Sequence, residues 1–478
     1  MARRYHRGAG AVLLAAACHR SLPPVDTGFV AKWPETNFAL ARAERLSPPV
    51  ASRVAAYVAV ALFEGWAASS DSLRSLAGQL KGLDSLPRPE PGARYDPASV
   101  AVEAQTTVLR ALYADGFPST AVAITRLHDS LMAVRSGTGV PEDVARASRE
   151  YGARLGGAII EWARKDGFAE TRQLPFTMPV GPQYWVPTAT PAQYRSQNLS
   201  GGTDIVLLDN PTGKAEPRTE SERSLTVNRP KRPGTTVPGI DPTKPVEPHW
   251  GELRTFGIPD ADTCQAPKPA PFSPEPGSDF YAQAQRVYQV SKTLTAEQRR
   301  TAQFWADNPG ESGTPASHWL MIVAQVATQR RLSPERTAEA YALTAIATAD
   351  AFIACWHLKY QVNLLRPVTY IQRYIDPRWQ TVLVTPPFPE YASGHAIQSA
   401  ASAEVLTALL GDETPFEDAT HVSIGHPPRH FASFRKAAAE AAMSRLYGGI
   451  HYPMGNDNGA AQGRCIGRTV LDRVHTRR

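Results

Sequence analysis

Residues 386–410 read PPFPEYASGHAIQSAASAEVLTALL, a proline-stiffened loop running straight into an alanine-rich helical stretch. Pro386, Pro387 and Pro389 fix φ at three of the first four positions, so the loop arrives at the helix in a set path. Ser393 falls where an N-cap belongs. The first N–H groups of a helix have no partner within it and sit at the positive end of its dipole, which makes this terminus an anion site. Gly394 lets a ligand come close to the backbone. Alone, the segment is equally a capped helix with His395 as an ordinary first-turn residue.

Two further segments change that balance. Upstream, Lys359 and Arg366 are seven residues apart, which on a continuous helix places them within about 20° of one face and roughly 10 Å apart along the axis. Pro367 then predicts that the chain leaves the helix, with Arg366 at its end. Downstream, Met443-Ser444-Arg445-Leu446-Tyr447-Gly448-Gly449-Ile450-His451 carries a second arginine and a second histidine. On an unbroken helix Arg445 and His451 would diverge by about 120°, but Gly448-Gly449 predicts a break that lets both face one ligand. Together the three segments supply two forked guanidinium groups, an ammonium, a hydroxyl, a Gly N–H and two imidazoles. That inventory describes a pocket for a tetrahedral oxyanion, with one histidine as ligand or nucleophile and the other as acid/base.

The rest of the chain supports an all-α reading. Its 478 residues, 42% of them hydrophobic, suffice for a large core. Helical periodicity runs from Asn37 to Lys165, with starts at Ser47-Pro48-Pro49, Asp96, Ser119 and Pro141. It resumes near Ser278, with helices expected at 280–292, 295–306, 315–329, 334–360, 394–410 and 431–447, Ser333 capping the fourth. Between Asp166 and Pro276 it vanishes into proline-rich polar sequence, the kind of long connection that wraps a surface or lines a channel. The expected organisation is an export signal at 1–22, a helical bundle at 23–165, an irregular connection at 166–276 and a second bundle with the oxyanion site at 277–478.

The net charge of +6 comes from 51 Lys and Arg against 45 Asp and Glu, without a basic stripe interleaved with aromatics, so no nucleic-acid partner is expected. The run MARRYHRGAGAVLLAAACHR has a basic start, a short apolar core and small residues before Cys18, the form of an export signal. Small residues preceding a cysteine resemble a lipoprotein processing site, in which Cys18 would be lipidated and anchor the protein to a membrane, although Ala15 stands where Leu is usual. Periplasmic, membrane-anchored and secreted destinations all remain open. The most apolar helix, around Val54 to Ala68, contains Glu64 and reads as buried core. Cys264, Cys355 and Cys465 form no CxxC pair, which leaves a Cys264–Cys465 disulfide open and points to neither zinc nor a dense disulfide framework.

The pattern K-x6-R-P, then S-G-H, then S-R-x5-H resembles the signature of the vanadium-dependent haloperoxidases and the type 2 phosphatidic acid phosphatase superfamily. The resemblance is strong over 359–451 and weaker over the whole chain, where it implies the two-bundle fold of the vanadium chloroperoxidase and acid phosphatase type. It implies vanadate as cofactor, with phosphate able to occupy the same site. His451 would bond the metal, Lys359, Arg366, Ser393, the Gly394 N–H and Arg445 would neutralise its oxygens, and His395 would act as acid/base while Lys359 polarises bound peroxide. Asp307, in Phe304-Trp305-Ala306-Asp307, matches the family position that supports an active-site arginine. Trp356 and Phe388 fall where chloride-oxidising members place aromatics beside the halide. Hydrogen peroxide, halide and a small organic compound are the implied substrates.

Two departures stand out. Ala392 replaces the proline usual before Ser-Gly-His, and Gly455 replaces an aspartate often found four residues after the ligand histidine, leaving Asp457 as the nearest carboxylate to orient His451. His421, His426 and His430 read as loop residues. A soluble acid phosphatase, with His451 forming a phosphohistidine and His395 protonating the leaving alcohol, is the alternative enzyme. A non-catalytic phosphate binder is the alternative outside catalysis.

Overall fold

A computed structural model describes residues 22–188 and 240–478; Cys18 and the export segment lie outside them. The described residues form fourteen α-helices, two single 3-10 turns and one short hairpin. In the first half these are α1 (Thr27–Ala43), α2 (Pro48–Ala67), α3 (Pro97–Leu112), α4 (Pro118–Gly137), α5 (Glu142–Ala163) and the single turn α6 (Phe168–Thr171). The second half contains α7 (Asp279–Lys292), α8 (Ala296–Phe304), α9 (Thr314–Gln329), α10 (Pro334–Val362), α11 (Pro367–Tyr374), α12 (Gly394–Leu410), α13 (Phe434–Tyr447) and α14 (Pro453–Arg473). Strands β1 (Phe416–Asp418) and β2 (Arg429–Phe431) pair antiparallel with Phe416 opposite Phe431.

Helix starts follow local chemistry. Asp26, Asp96, Ser278, Ser333 and Ser393 each accept a backbone N–H from the first turn of their helix, and Thr295 with Gln298 forms a reciprocal capping box. Helices α2 and α10 are long and apolar enough to cross a bilayer, yet the apolar stretch of each is wholly buried within the fold. They pack on one another, and α12 packs against α10 as well. The sequence reading missed α14, whose glycines disguise its apolar face. Those glycines are its packing surface: a Cβ added at Gly463 would overlap the Ile397 carbonyl of α12, and one at Gly467 would come within 2.7 Å of the Ala401 carbonyl. Only hydrogen at these positions permits so close a crossing.

The described part of the connection after Asp166 is fastened to the core and walls the site. Asp350, buried in α10, accepts the N–H groups of Phe256, Gly257 and Ile258 at 2.6, 2.8 and 3.0 Å. Burial pushes its carboxyl up to about 6 despite those bonds. Val246 donates its N–H to Pro387 and accepts from Trp356 Nε1 and the Tyr360 hydroxyl. Cys264 and Cys465 are disulfide-bonded, tying the connection to α14 across 201 residues. Cys355 is free and buried.

Candidate active site

The loop 386–393 is gripped from below by one side chain. Lys359, buried in the last turn of α10, points Nζ at the carbonyls of Pro389, Glu390 and Ala392 at 2.9, 2.9 and 2.6 Å. An ammonium has three hydrogens, so all its donors are engaged with the loop. Its contribution to an anion is therefore positive charge and a fixed Ser393-Gly394 turn, rather than the direct oxygen contact the sequence implied. Burial lowers its pKa to about 7.

Arg366 does not share a helical face with Lys359. Helix α10 stops at Val362 with Asn363 in the left-handed region, and Arg366 is the N-cap of α11, with Pro367 as first residue. The proline begins a helix instead of ending one, as its fixed φ and missing N–H favour at that position. The arginine still turns inward and is fully buried, with Nε donating to Phe388 O at 3.0 Å and Nη1 to Ile450 O at 2.8 Å. Its Nη2 has no hydrogen-bond partner among the described residues.

The break at Gly448-Gly449 is present: α13 ends at Tyr447 and Gly449 takes φ +74°. Arg445, in the last turn, donates Nη2 to Trp305 O at 2.6 Å and holds Nη1 3.4 Å from His395 Nε2. Burial lowers the pKa of Arg366 to about 10 and that of Arg445 to about 9. Beyond the break His451 sets Nε2 3.0 Å from Arg366 Nη1 and Nδ1 2.8 Å from Glu390 Oε1. Burial first, then Arg366 and Lys359, hold His451 well below the usual imidazole range, and burial with Arg445 lowers His395 to about 4. Both are neutral at pH 7.

Asp307 has the left-handed φ of +50°. Its carboxylate meets His318 Nδ1 at 3.0 Å and His421 Nε2 at 3.0 Å, and lies 3.7 Å from His395 Nε2. It reaches Arg445 as charge rather than through a direct bond, so its bonded partners are His318, His421 and the Ser312 hydroxyl and not the arginine that the resemblance implied. His318 in turn donates Nε2 to Asp418 at 2.8 Å. His421 is thus a buried part of the site's support and not a mere loop residue.

Part of this set opens onto a cleft of about 770 Å3 that includes open solvent at its mouth. Gly394, His395, Arg445, His451 and Asp307 form its polar end, and Phe352, Trp356, Phe388, Leu383, Val384 and Ile450 line an apolar wall. Trp356 and Phe388 pack with ring centroids 5.0 Å apart. Ser393 is buried as the cap of α12. Asp457 is exposed on α14 and leaves the orientation of His451 to Glu390, which the sequence reading passed over. The available signal was a lone carboxylate in the otherwise apolar and aromatic run 386–392.

The donor set suits a tetrahedral oxyanion. Arg445 lines the cleft, Arg366 meets His451 at its polar end with a buried Nη2 that has no partner among the described residues, Lys359 grips the loop before Gly394, and a helix N-terminus opens beside a neutral imidazole. Fold and site together define a helical oxyanion-binding protein. Residues 339–478 match the family described as the VCPO second helical-bundle domain. A curated relative, the vanadium chloroperoxidase of Curvularia inaequalis, is 24% identical over 236 residues, 36% of this chain and 38% of that protein. The structure of the first bacterial vanadium-dependent iodoperoxidase superposes with a TM-score of 0.77 at 32% identity, covering 95% of this chain and 99% of that one. A holo bacterial vanadium-dependent chloroperoxidase shares the fold, with a TM-score of 0.63 at 16% identity over 91% and 93% of the two chains. The chain belongs to the vanadium-dependent haloperoxidase family.

Proposed function

We propose that this chain is a vanadate-dependent haloperoxidase that oxidises halide with hydrogen peroxide and halogenates small organic compounds. The observation that carries the reading is the buried Arg366 guanidinium, whose Nη2 has no partner among the described residues and whose Nη1 lies 3.0 Å from His451 Nε2. When bound, vanadate supplies Lewis acidity that activates peroxide toward halide without a change in its own oxidation state. Arg366, Arg445, the Ser393 hydroxyl and the Gly394 N–H would hold its oxygens, and His451 Nε2 would bond the metal.

The chain's own residues supply the remaining conditions. His395, neutral at pH 7, accepts a proton at a ring nitrogen and returns it, with Asp307 3.7 Å from its Nε2 to stabilise the charge it gains. Lys359 fixes the Ser393-Gly394 turn and adds positive charge without spending it on solvent. Trp356 and Phe388 keep the halide side of the cleft dry, where a fixed charge acts most strongly. The apolar wall suits an apolar organic acceptor. Export, with Cys18 as a lipid anchor, completes the reading, and the Cys264–Cys465 bond supports an oxidising compartment.

Peroxide-dependent iodide, bromide and chloride oxidation by purified protein, with and without orthovanadate, tests this directly. Vanadate-dependent turnover that phosphate suppresses and His451→Ala abolishes is expected. Hydrolysis of p-nitrophenyl phosphate inhibited by vanadate, with no halide oxidation, would make the chain a phosphatase instead.

A further inference from the structure

We infer that Glu390 is the positioning residue of His451: its carboxyl group fixes the imidazole as the Nδ1–H tautomer, leaving on Nε2 the one lone pair that here accepts from Arg366 Nη1 and that a bound oxyanion would take over. The identity of that oxyanion rests on the haloperoxidase reading, but the tautomer does not. Two contacts on opposite sides of the ring agree on it. Arg366 Nη1, 3.0 Å from Nε2, has hydrogens and no lone pair to offer, so Nε2 must be the acceptor. A neutral imidazole then carries its hydrogen on Nδ1, and Glu390 Oε1 accepts it at 2.8 Å while also accepting the Tyr452 N–H at 3.0 Å. Metal-ligating histidines are generally fixed in this way through the nitrogen that does not bind the metal.

The sequence is built around this carboxyl group at two places. A Cβ added at Gly455 would overlap Glu390 Oε1 and come within 3.1 Å of the carboxyl carbon, so glycine at 455 and glutamate at 390 form a matched pair. The position where the family often carries an aspartate is therefore filled in space from another segment, the loop before α12. That loop is joined to the 455 turn by the Ser393 N–H, which donates to Gly455 O at 3.0 Å, and it is gripped at Glu390 O by Lys359. The unit that presents Ser393 and Gly394 to the anion thus also aims the histidine.

The test uses full-length protein carrying 15N-histidine, read by NMR for the His451 tautomer and by calorimetric titration with orthovanadate and, separately, inorganic phosphate. Wild type is expected as the Nδ1–H tautomer. Glu390→Ala should mix the tautomers and weaken vanadate binding about 10- to 100-fold. Glu390→Gln keeps an acceptor oxygen and should retain the tautomer with a loss below about tenfold. Adding Gly455→Asp to Glu390→Ala should recover most of the affinity, because position 455 points at the vacated carboxyl site. Vanadate affinity within twofold of wild type and an unchanged tautomer in Glu390→Ala would overturn the inference. Should that variant fail to fold, Gly455→Ala in the wild-type background decides: it displaces Oε1 and should weaken binding, and unaltered affinity and tautomer would refute the role. Wild type that binds neither anion would sink the functional reading, while the tautomer would still decide this one.

Discussion

His395 and His451 face the same cleft, and each leans on a buried carboxyl group, Asp307 at 3.7 Å for the first and Glu390 at 2.8 Å for the second. The two carboxyl groups live in different electrostatic settings. Burial alone would raise Asp307, but the His318 imidazolium overrides it and holds the carboxyl well below its usual range. His318 would itself be lowered by burial, yet Asp307 and Asp418 on its two nitrogens raise it to about 10. Among the described residues Glu390 has no such cation bonded to its carboxylate, and burial pushes it up to about 7 against the pull of Lys359 and Arg366. The acid/base histidine is therefore backed by a permanent anion, whereas the ligand histidine is backed by a close hydrogen-bond acceptor. A proton-transfer group needs a nearby charge to stabilise what it gains, and a ligand needs its lone pair held in one direction.

The comparison breaks most easily at His395 itself. His395→Ala should cut peroxide-dependent turnover by about 10²- to 10⁴-fold, while vanadate affinity measured by titration falls far less. An equal loss of both would erase the division of labour between the two imidazoles. Next comes His318→Ala, which strands two buried carboxylates and should destabilise the fold by about 3–5 kcal/mol in urea denaturation. An unchanged midpoint would mean that the Asp418–His318–Asp307 chain is not ionised as described.

The same chain predicts a pH dependence with a definite sign. A histidine raised from its ordinary range to about 10 stabilises the fold fully below about pH 6.5, and that contribution is lost as pH rises toward 10. Asp307 and Asp418, both lowered, contribute above about pH 4 and lose that contribution as pH falls further. Wild-type stability should therefore decline between pH 6.5 and 10, and His318→Ala should flatten the decline. The smallest effect sharpens the other side. Asp457→Ala should change stability by less than about 0.5 kcal/mol and leave vanadate affinity unaltered, because Asp457 is exposed on α14.

Much of this was legible in one dimension because it is local. The caps at Ser333 and Ser393, the glycine break before His451 and the three cations all lie within short motifs whose backbone physics acts over a turn or two. Helix α14 was illegible because glycines and polar residues interrupt its buried face between Met454, Ile466 and Val470, and a glycine carries no hydrophobic signal. Pro367 was misread because a proline that ends one helix and one that starts the next look alike until the chain's path is known.

The sequence by itself determined an all-helical chain with a tetrahedral-oxyanion chemistry in its last third, since residue type and helical phase depend on neighbours only a few positions away. The tertiary structure alone decided which carboxyl group serves which imidazole. Glu390 and His451 are 61 positions apart, His318 and Asp418 are 100 apart, and Asp307 and His421 are 114 apart. Such pairs are chosen by burial, where a charge or polar group is stable only beside a partner, and sequence spacing does not record which elements share the interior.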